Sequence, residues 1–202
     1  MRIFIVLGHR AATDPGFNLD DLPGSAGRLD ILCRAVNSSF FLSHDIRRDT
    51  ELYLILRDEL TLRFAGSRLR HLNPDERSTA ALIQKALRLR GLLEGAEERE
   101  STPGISISRR GLSAVLEEAE RKVERLILLH EEGELLRETG LPRDVGFVLS
   151  DHLDFSPKEL TLLEGLPRLS LGPQVLHADH CIIIAHNELD LRWKRGPCYN
   201  GT

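Results

Sequence analysis

The sequence predicts an α/β domain whose sheet is mostly parallel and carries helices on both faces. Three observations predict it. Short apolar runs such as Arg2–Leu7 (RIFIVL) and Val145–Leu149 are continuous instead of alternating, as in strands buried on both sides. Between such runs, apolar residues recur at helical spacing. Segments rich in Gly, Pro, Asp and Ser separate the two patterns, and they alternate through the second half of the chain.

Taken in order, Arg2–Leu7 is a buried strand closed by Gly8, and Gly8–Ser25 is loop. From Arg28 a helix is expected, with Leu29, Leu32, Cys33, Val36 and Phe40 on one face. Glu51–Arg57 and Leu60–Phe64 read as strands tightly connected at Asp58-Glu59. Asn73 is placed to cap a helix, with Pro74 in its first turn and Glu76 completing a capping box; this helix is expected to run to about Leu93. Gly91–Gly104 is charged and ends in Ser-Thr-Pro-Gly, so it reads as an exposed connector and the best place for a boundary. A helix over Leu112–Val123 follows, then strands at Leu126–Leu129 and Val145–Leu149. Ser156-Pro-Lys-Glu159 opens a short helix, Leu169–Leu171 is a strand, and a last helix carries Ala178, Cys181, Ile182, Ala185 and Leu189 on one face.

The 202 residues suit one domain, and a 41% apolar and 29% charged composition is that of an ordinary globular chain. A net charge of −4 argues against a nucleic-acid coating protein, so any RNA contact is expected from a local basic surface. Three cysteines without a C-x-x-C spacing argue against a disulfide framework. No apolar run approaches the roughly 20 residues of a membrane span, and the first strand lacks a cleavage site, so a cytoplasmic protein is expected. The G-x-G-x-x-G, Walker, G-x-S-x-G and H-E-x-x-H motifs are all missing. His177-Ala-Asp-His-Cys181 invites a metal reading, but adjacent residues on a forming helix point in different directions, and no metal is expected. In parallel sheets ligands bind beyond the carboxyl ends of the strands, which directs attention to the loops after Leu129, Leu149 and Leu171.

Several segments in order carry a resemblance: Asp21-Leu-Pro-Gly-Ser-Ala-Gly-Arg-Leu-Asp30, Ile31–Arg34, Phe40–Asp49, Pro74–Arg77, Ser101–Ile105, His177–Cys181 and His186-Asn187. Together, from about Met1 to Asp190, the chain resembles the archaeal tRNA pseudouridine-54 N1-methyltransferases of the SPOUT superfamily. The resemblance implies one domain over residues 1–190 with a deep trefoil knot, a homodimer, a tRNA substrate, and S-adenosyl-L-methionine (SAM) held by the knot in about residues 125–190. Residues 191–202 lie outside it as a tail. Carried over residue by residue, it places the cofactor against Leu129, Ser150, the loop Leu171-Gly172-Pro173-Gln174-Val175-Leu176, and Cys181. A glycine is expected in relatives where Ser150 stands, so that its hydroxymethyl group either crowds the ligand or bonds it.

Pseudouridine has a free N1–H, so methylation there needs two positioned substrates and donors for the charge that develops on the ring. Arg28, Arg47 and Arg48 are candidate donors. Asp30 or Asp45 is placed to orient an arginine or accept the proton. Arg28 and Asp30 are favoured for catalysis, against a bland reading as helix-start electrostatics. Arg47 and Arg48 are favoured for RNA contact, against a solvated turn. Cys181 is read as a pocket wall, because methylation at nitrogen needs no covalent adduct. His177, His180 and His186 read as structural, and Trp193, Lys194 and Arg195 as a frayed end that contacts RNA only as a lesser alternative. Two other functions stay open: a SPOUT enzyme acting on another RNA such as ribosomal RNA, and a non-catalytic RNA-binding assembly factor.

Overall fold

The computed structural model describes residues 1–193. The elements are β1 (Arg2–Gly8), α1 (Leu22–Ser25), α2 (Leu29–Phe40), β2 (Thr50–Leu56), β3 (Leu60–Ala65) and α3 (Glu76–Leu87). They continue with β4 (Arg99–Thr102), β5 (Ile105–Ser108), α4 (Leu112–Glu120), β6 (Arg125–Leu135), β7 (Val145–Ser150), α5 (Pro157–Leu162), β8 (Arg168–Ser170) and α6 (Ala178–Arg192).

The strands form one eight-stranded sheet in the order β4-β5-β3-β2-β1-β7-β6-β8. From β2 to β8 every pairing is parallel, whereas β2-β3, β3-β5 and β5-β4 are antiparallel. All of β1 is buried, as its unbroken apolar run requires. Alternate residues feed two cores. Phe4, Val6, Leu52 and Leu54 pack under α2, α3 and α6. Ile3, Ile5, Leu7 and Tyr53 pack under α4. The expected helices on both faces are therefore present. No helix among the described residues is long and apolar enough to cross a membrane.

Some boundaries differ from expectation, each for a physical reason. The cap of α3 is Asp75, whose carboxylate accepts the Ser78 N–H at 2.7 Å, and not Asn73. That helix ends at Leu87, and a separate 3₁₀ turn covers Arg90–Leu92. The stretch 91–104 is not a boundary: it contains β4, which pairs with β5 and extends the same sheet. Charged residues on β4 disguise it, as is usual on an edge strand. Strand β6 runs six residues beyond Leu129. Leu169 of β8 is opposite both Leu129 and Glu134, so residues 130–133 bulge out and the chain returns to β8. Gly133 permits the return, since a Cβ there would sit 2.6 Å from the Arg168 carbonyl.

The predicted tail begins inside α6. Arg192 donates to the carbonyls of Thr139 at 2.5 Å and Leu136 at 2.6 Å, fastening the helix end to the 3₁₀ turn that follows β6. The readings of Lys194 and Arg195 fall outside the described residues.

Candidate functional site

The bulge of β6 and the carboxyl ends of β7 and β8 open into a cavity of about 650 Å³, within the usual range for small-molecule sites. Leu129, Leu149 and Leu169 come from the strands themselves, and the loop after β8 supplies Leu171, Gly172, Gln174, Val175 and Leu176. Cys181, one turn into α6, closes that side. Of the residues expected around a cofactor, Pro173 does not face the cavity and the rest do. A Cβ built on Gly172 would meet nothing within 4 Å, so the backbone there is approachable from the cavity. Ser150 lines the cavity, but its hydroxyl donates to the Leu153 carbonyl and shapes its own loop.

The bulge of β6 adds His130, Glu131 and Glu132, and the loop after β7 adds Asp151 to Phe155. Sequence reasoning pointed to the loops after Leu129 and Leu149 but singled out only Leu129 and Ser150 in them, not these polar side chains. The bulge is set by long-range pairing with β8, and no local motif marks it. Among the described residues, no three His, Cys, Asp or Glu side chains gather as metal ligands would.

Arg28 and Asp30 are brought together at the same edge of the sheet, where α2 begins. Arg28 is the left-handed residue before the helix (φ 66°). Its Nε and Nη2 donate to the two oxygens of Asp30 at 3.0 and 3.1 Å, and Arg34 adds a third bond at 3.2 Å. Burial pushes the Asp30 carboxyl up, but the hydrogen bonds and charges of Arg28 and Arg34 outweigh it and hold the group below the ordinary value. Asp30 is therefore a carboxylate that fixes a fork-shaped donor. The helix-start reading is true but incomplete, because the side chain is buried.

Arg47 and Arg48 lie elsewhere, at the amino-terminal end of β2, about the length of α2 from Arg28. Arg47 is committed to the fold: its Nη1 and Nη2 reach the two oxygens of Asp190 at 3.1 and 2.6 Å, and its side chain is 15% exposed. Arg2 joins the same carboxylate and also donates to His186 Nδ1 at 2.9 Å. That leaves His186 Nε2–H to donate to the Ser39 carbonyl at 3.1 Å, so the ring is neutral; burial drives its pKa down to about 3. Arg48 is more exposed, bonding the Leu69 carbonyl at 3.0 Å with Asp45 at 3.6 Å. His186 is thus held within the hydrogen-bond network of the fold, and of the two arginines expected to contact RNA, Arg47 is paired within the fold whereas Arg48 is the more exposed.

Burial raises the Cys181 thiol to about 11, with the Asp179 charge adding to it. Near neutral pH it is a thiol and a poor nucleophile.

One constellation was absent from the sequence reading. His9, immediately after β1, lies between Asp151 and Glu159, with its Nδ1 2.9 Å from the first and its Nε2 3.0 Å from the second. Hydrogen bonding to Asp151 raises its pKa to about 9, against burial and with Glu159 helping. The signal available was a polar residue directly after a buried strand.

A family model described as "Putative SAM-dependent RNA methyltransferase" matches residues 1–193. The tRNA (pseudouridine(54)-N(1))-methyltransferase of Haloferax volcanii is 55% identical, covering 94% of this chain and 96% of its own. That of Haloarcula marismortui is 53% identical over the same shares, and that of Methanocella arvoryzae 49% identical over 95% and 100%. Among solved structures, Archaeoglobus fulgidus Nep1 bound to S-adenosylhomocysteine has the same overall fold, with a TM-score of 0.61, 14% identity, and coverage of 96% and 98%. With a family model spanning nearly its whole length and relatives at about half identity, the chain belongs to the SAM-dependent RNA methyltransferase family that includes the tRNA (pseudouridine(54)-N(1))-methyltransferases.

Proposed function

We propose that this protein methylates N1 of pseudouridine 54 in tRNA, using SAM. The observation that carries the reading is the cavity at the bulge of β6 and the carboxyl ends of β7 and β8, with the Arg28–Asp30 fork on the same edge of the sheet. The relatives' activity then supplies the substrate.

The cavity fits SAM chemically. Leu129, Leu171 and Leu176 offer apolar walls for an adenine, and Gly172 leaves main-chain groups within reach of its edge. Glu131, Glu132 and Asp154 offer acceptors for ribose hydroxyls and an ammonium group. Bound SAM supplies an electrophilic methyl group. The chain's own task is then to hold the base and the charge that develops on it. Arg28 is the donor for the ring carbonyl, and Asp30 keeps that donor in place. Arg48 is the phosphate contact of the original pair. A homodimer is supported by exposed apolar side chains on and beside α6: Val175, Ile183 and Leu191 are 78, 52 and 63% exposed. A knot in residues 125–190 is part of the same proposal and rests on the family resemblance. The whole is one domain through α6, working in the cytoplasm where tRNA is modified.

The test is methyl transfer from labelled SAM to tRNA transcripts with pseudouridine or uridine at position 54. Label on the pseudouridine form alone supports the reading, and equal label on both refutes N1 chemistry.

Two substitutions follow. Gly172→Val fills the approachable backbone and is expected to weaken SAM binding about tenfold or more, about 1.4 kcal/mol, with the fold intact. Unchanged affinity by calorimetry would move the site elsewhere. Cys181→Ala is expected to change turnover by about fourfold at most, since a group of CH₂ size is worth about 0.8 kcal/mol. A loss of about 10³-fold would mark Cys181 as a nucleophile instead.

A further inference from the structure

The loop between β7 and α5 forms one wall of the large cavity, and its anchors converge on two carboxylates. Asp151 Oδ1 accepts the Leu153 N–H at 3.0 Å. Glu159 Oε2 accepts the Ser156 N–H at 2.7 Å and its hydroxyl at 2.8 Å, in the capping box of α5. His9 joins the two. Its backbone N–H and its ring Nδ1 reach Asp151 at 3.0 and 2.9 Å, and its Nε2 reaches Glu159 at 3.0 Å. The His9 side chain is 15% exposed and that of Asp151 3%. A neutral imidazole has one N–H, whereas two carboxylates facing both ring nitrogens are satisfied only by the doubly protonated ring.

We propose that His9 is a positioning residue of the cofactor cavity: its two ring N–H groups pin Asp151 and Glu159, and thereby hold the 151–156 wall in the shape that receives the cofactor. The proposal rests on the reading of the cavity as the SAM site only for its effect on affinity. The order of the loop itself is a separate consequence.

The charges around the ring favour the cation. Asp151 and Glu159 touch it, and Asp58 lies on the rim of the small cavity that His9 shares with Arg57 and Glu159. Arg28 feels Asp151, Lys158 is paired with Asp58, and His152 lies 3.4 Å from the Asp151 carboxylate. The folded-state pKa near 9 lies above the ordinary imidazole value of about 6.5. The pin is therefore fully present below about pH 6.5 and is lost as pH rises through about 9. Once one ring proton leaves, one carboxylate faces a lone pair.

The experiment uses alkali-stable S-adenosylhomocysteine in calorimetric titrations from pH 7 to 10, together with amide hydrogen exchange of the ligand-free protein. For wild type, affinity is expected to fall about tenfold across pH 9 beyond the fall that deprotonation of the ligand's own ammonium group imposes on every variant. His9→Ala is expected to bind weakly throughout, with only that ligand-borne fall, and to exchange faster at Leu153 and Ser156. Glu159→Gln is expected to bind well and to show only the ligand-borne fall, because its amide donates to Nε2 of a neutral His9 while Nδ1–H stays on Asp151, and Gln serves equally in the capping box. Wild-type affinity and exchange in His9→Ala overturn the proposal while leaving the cofactor reading intact. Absence of ligand binding in wild type, with faster exchange in His9→Ala, removes the cofactor reading and keeps the positioning role. If His9→Ala does not fold, Glu159→Gln decides: a pH profile identical to wild type overturns the proposal.

Discussion

Gly27→Ala is expected to destabilise the protein by roughly 2–4 kcal/mol and to lower activity with it. Gly27 has φ +61°, and a side chain there would overlap the carbonyl oxygen of Arg10. A left-handed L-residue costs about 1–2 kcal/mol, and the backbone of the 9–20 loop must shift besides. That loop is tied to the start of α2 by the Ala12 N–H bonded to the Ala26 carbonyl at 3.0 Å. A shift there moves Arg28, the next residue. Urea unfolding measures the effect, and a loss under about 0.5 kcal/mol, typical of an indifferent surface site, would contradict this packing.

Asp30→Asn is expected to slow methyl transfer about 10²-fold, the size of effect that a misplacement of about 1 Å produces, with SAM affinity unchanged. Asp30 accepts three hydrogen bonds from Arg28 and Arg34, and an amide cannot accept the Arg28 fork with both atoms. Arg28 and Arg34 are 41 and 32% exposed, so the stability cost falls between that of a surface pair and a buried one, about 1–2 kcal/mol. Single-turnover kinetics separates the two effects. Wild-type transfer rates in a folded Asp30→Asn protein would remove the fork from the mechanism.

The features legible in the sequence are those set by local patterns. β1 and β7 are unbroken apolar runs, and α5 opens with Ser156-Pro-Lys-Glu159, so burial and capping were readable directly. The β2–β3 turn was readable in position, though Arg57 and Asp58 both adopt positive φ where Asn-Gly is usual. Features that depend on distant partners were not. β4 is charged and is a strand because β5 lies beside it. The polar half of β6 pairs through its backbone alone. Asn73 and Asp75 are both competent caps, and the buried phase of Thr79, Ala80, Ile83 and Leu87 settles which one is used. Arg47 looked like one of two free arginines because its partner Asp190 is 143 residues away, and His9 was passed over because Asp151 and Glu159 lie 142 and 150 residues on. The loop 171–176 lines the cavity and was legible because it follows a parallel strand, where ligands collect. The opposite wall comes from the loops after Leu129 and Leu149, which the same rule marked, although no motif singled out their polar side chains.

The most direct test of the account is a titration of the isotopically labelled protein with SAM, followed by backbone amide chemical shifts. The account predicts that the largest changes cluster at Leu129, in the loop from Asp151 to Phe155, and from Leu171 to Cys181. Saturable binding whose shifts centre elsewhere, or no change at near-millimolar SAM, would contradict it.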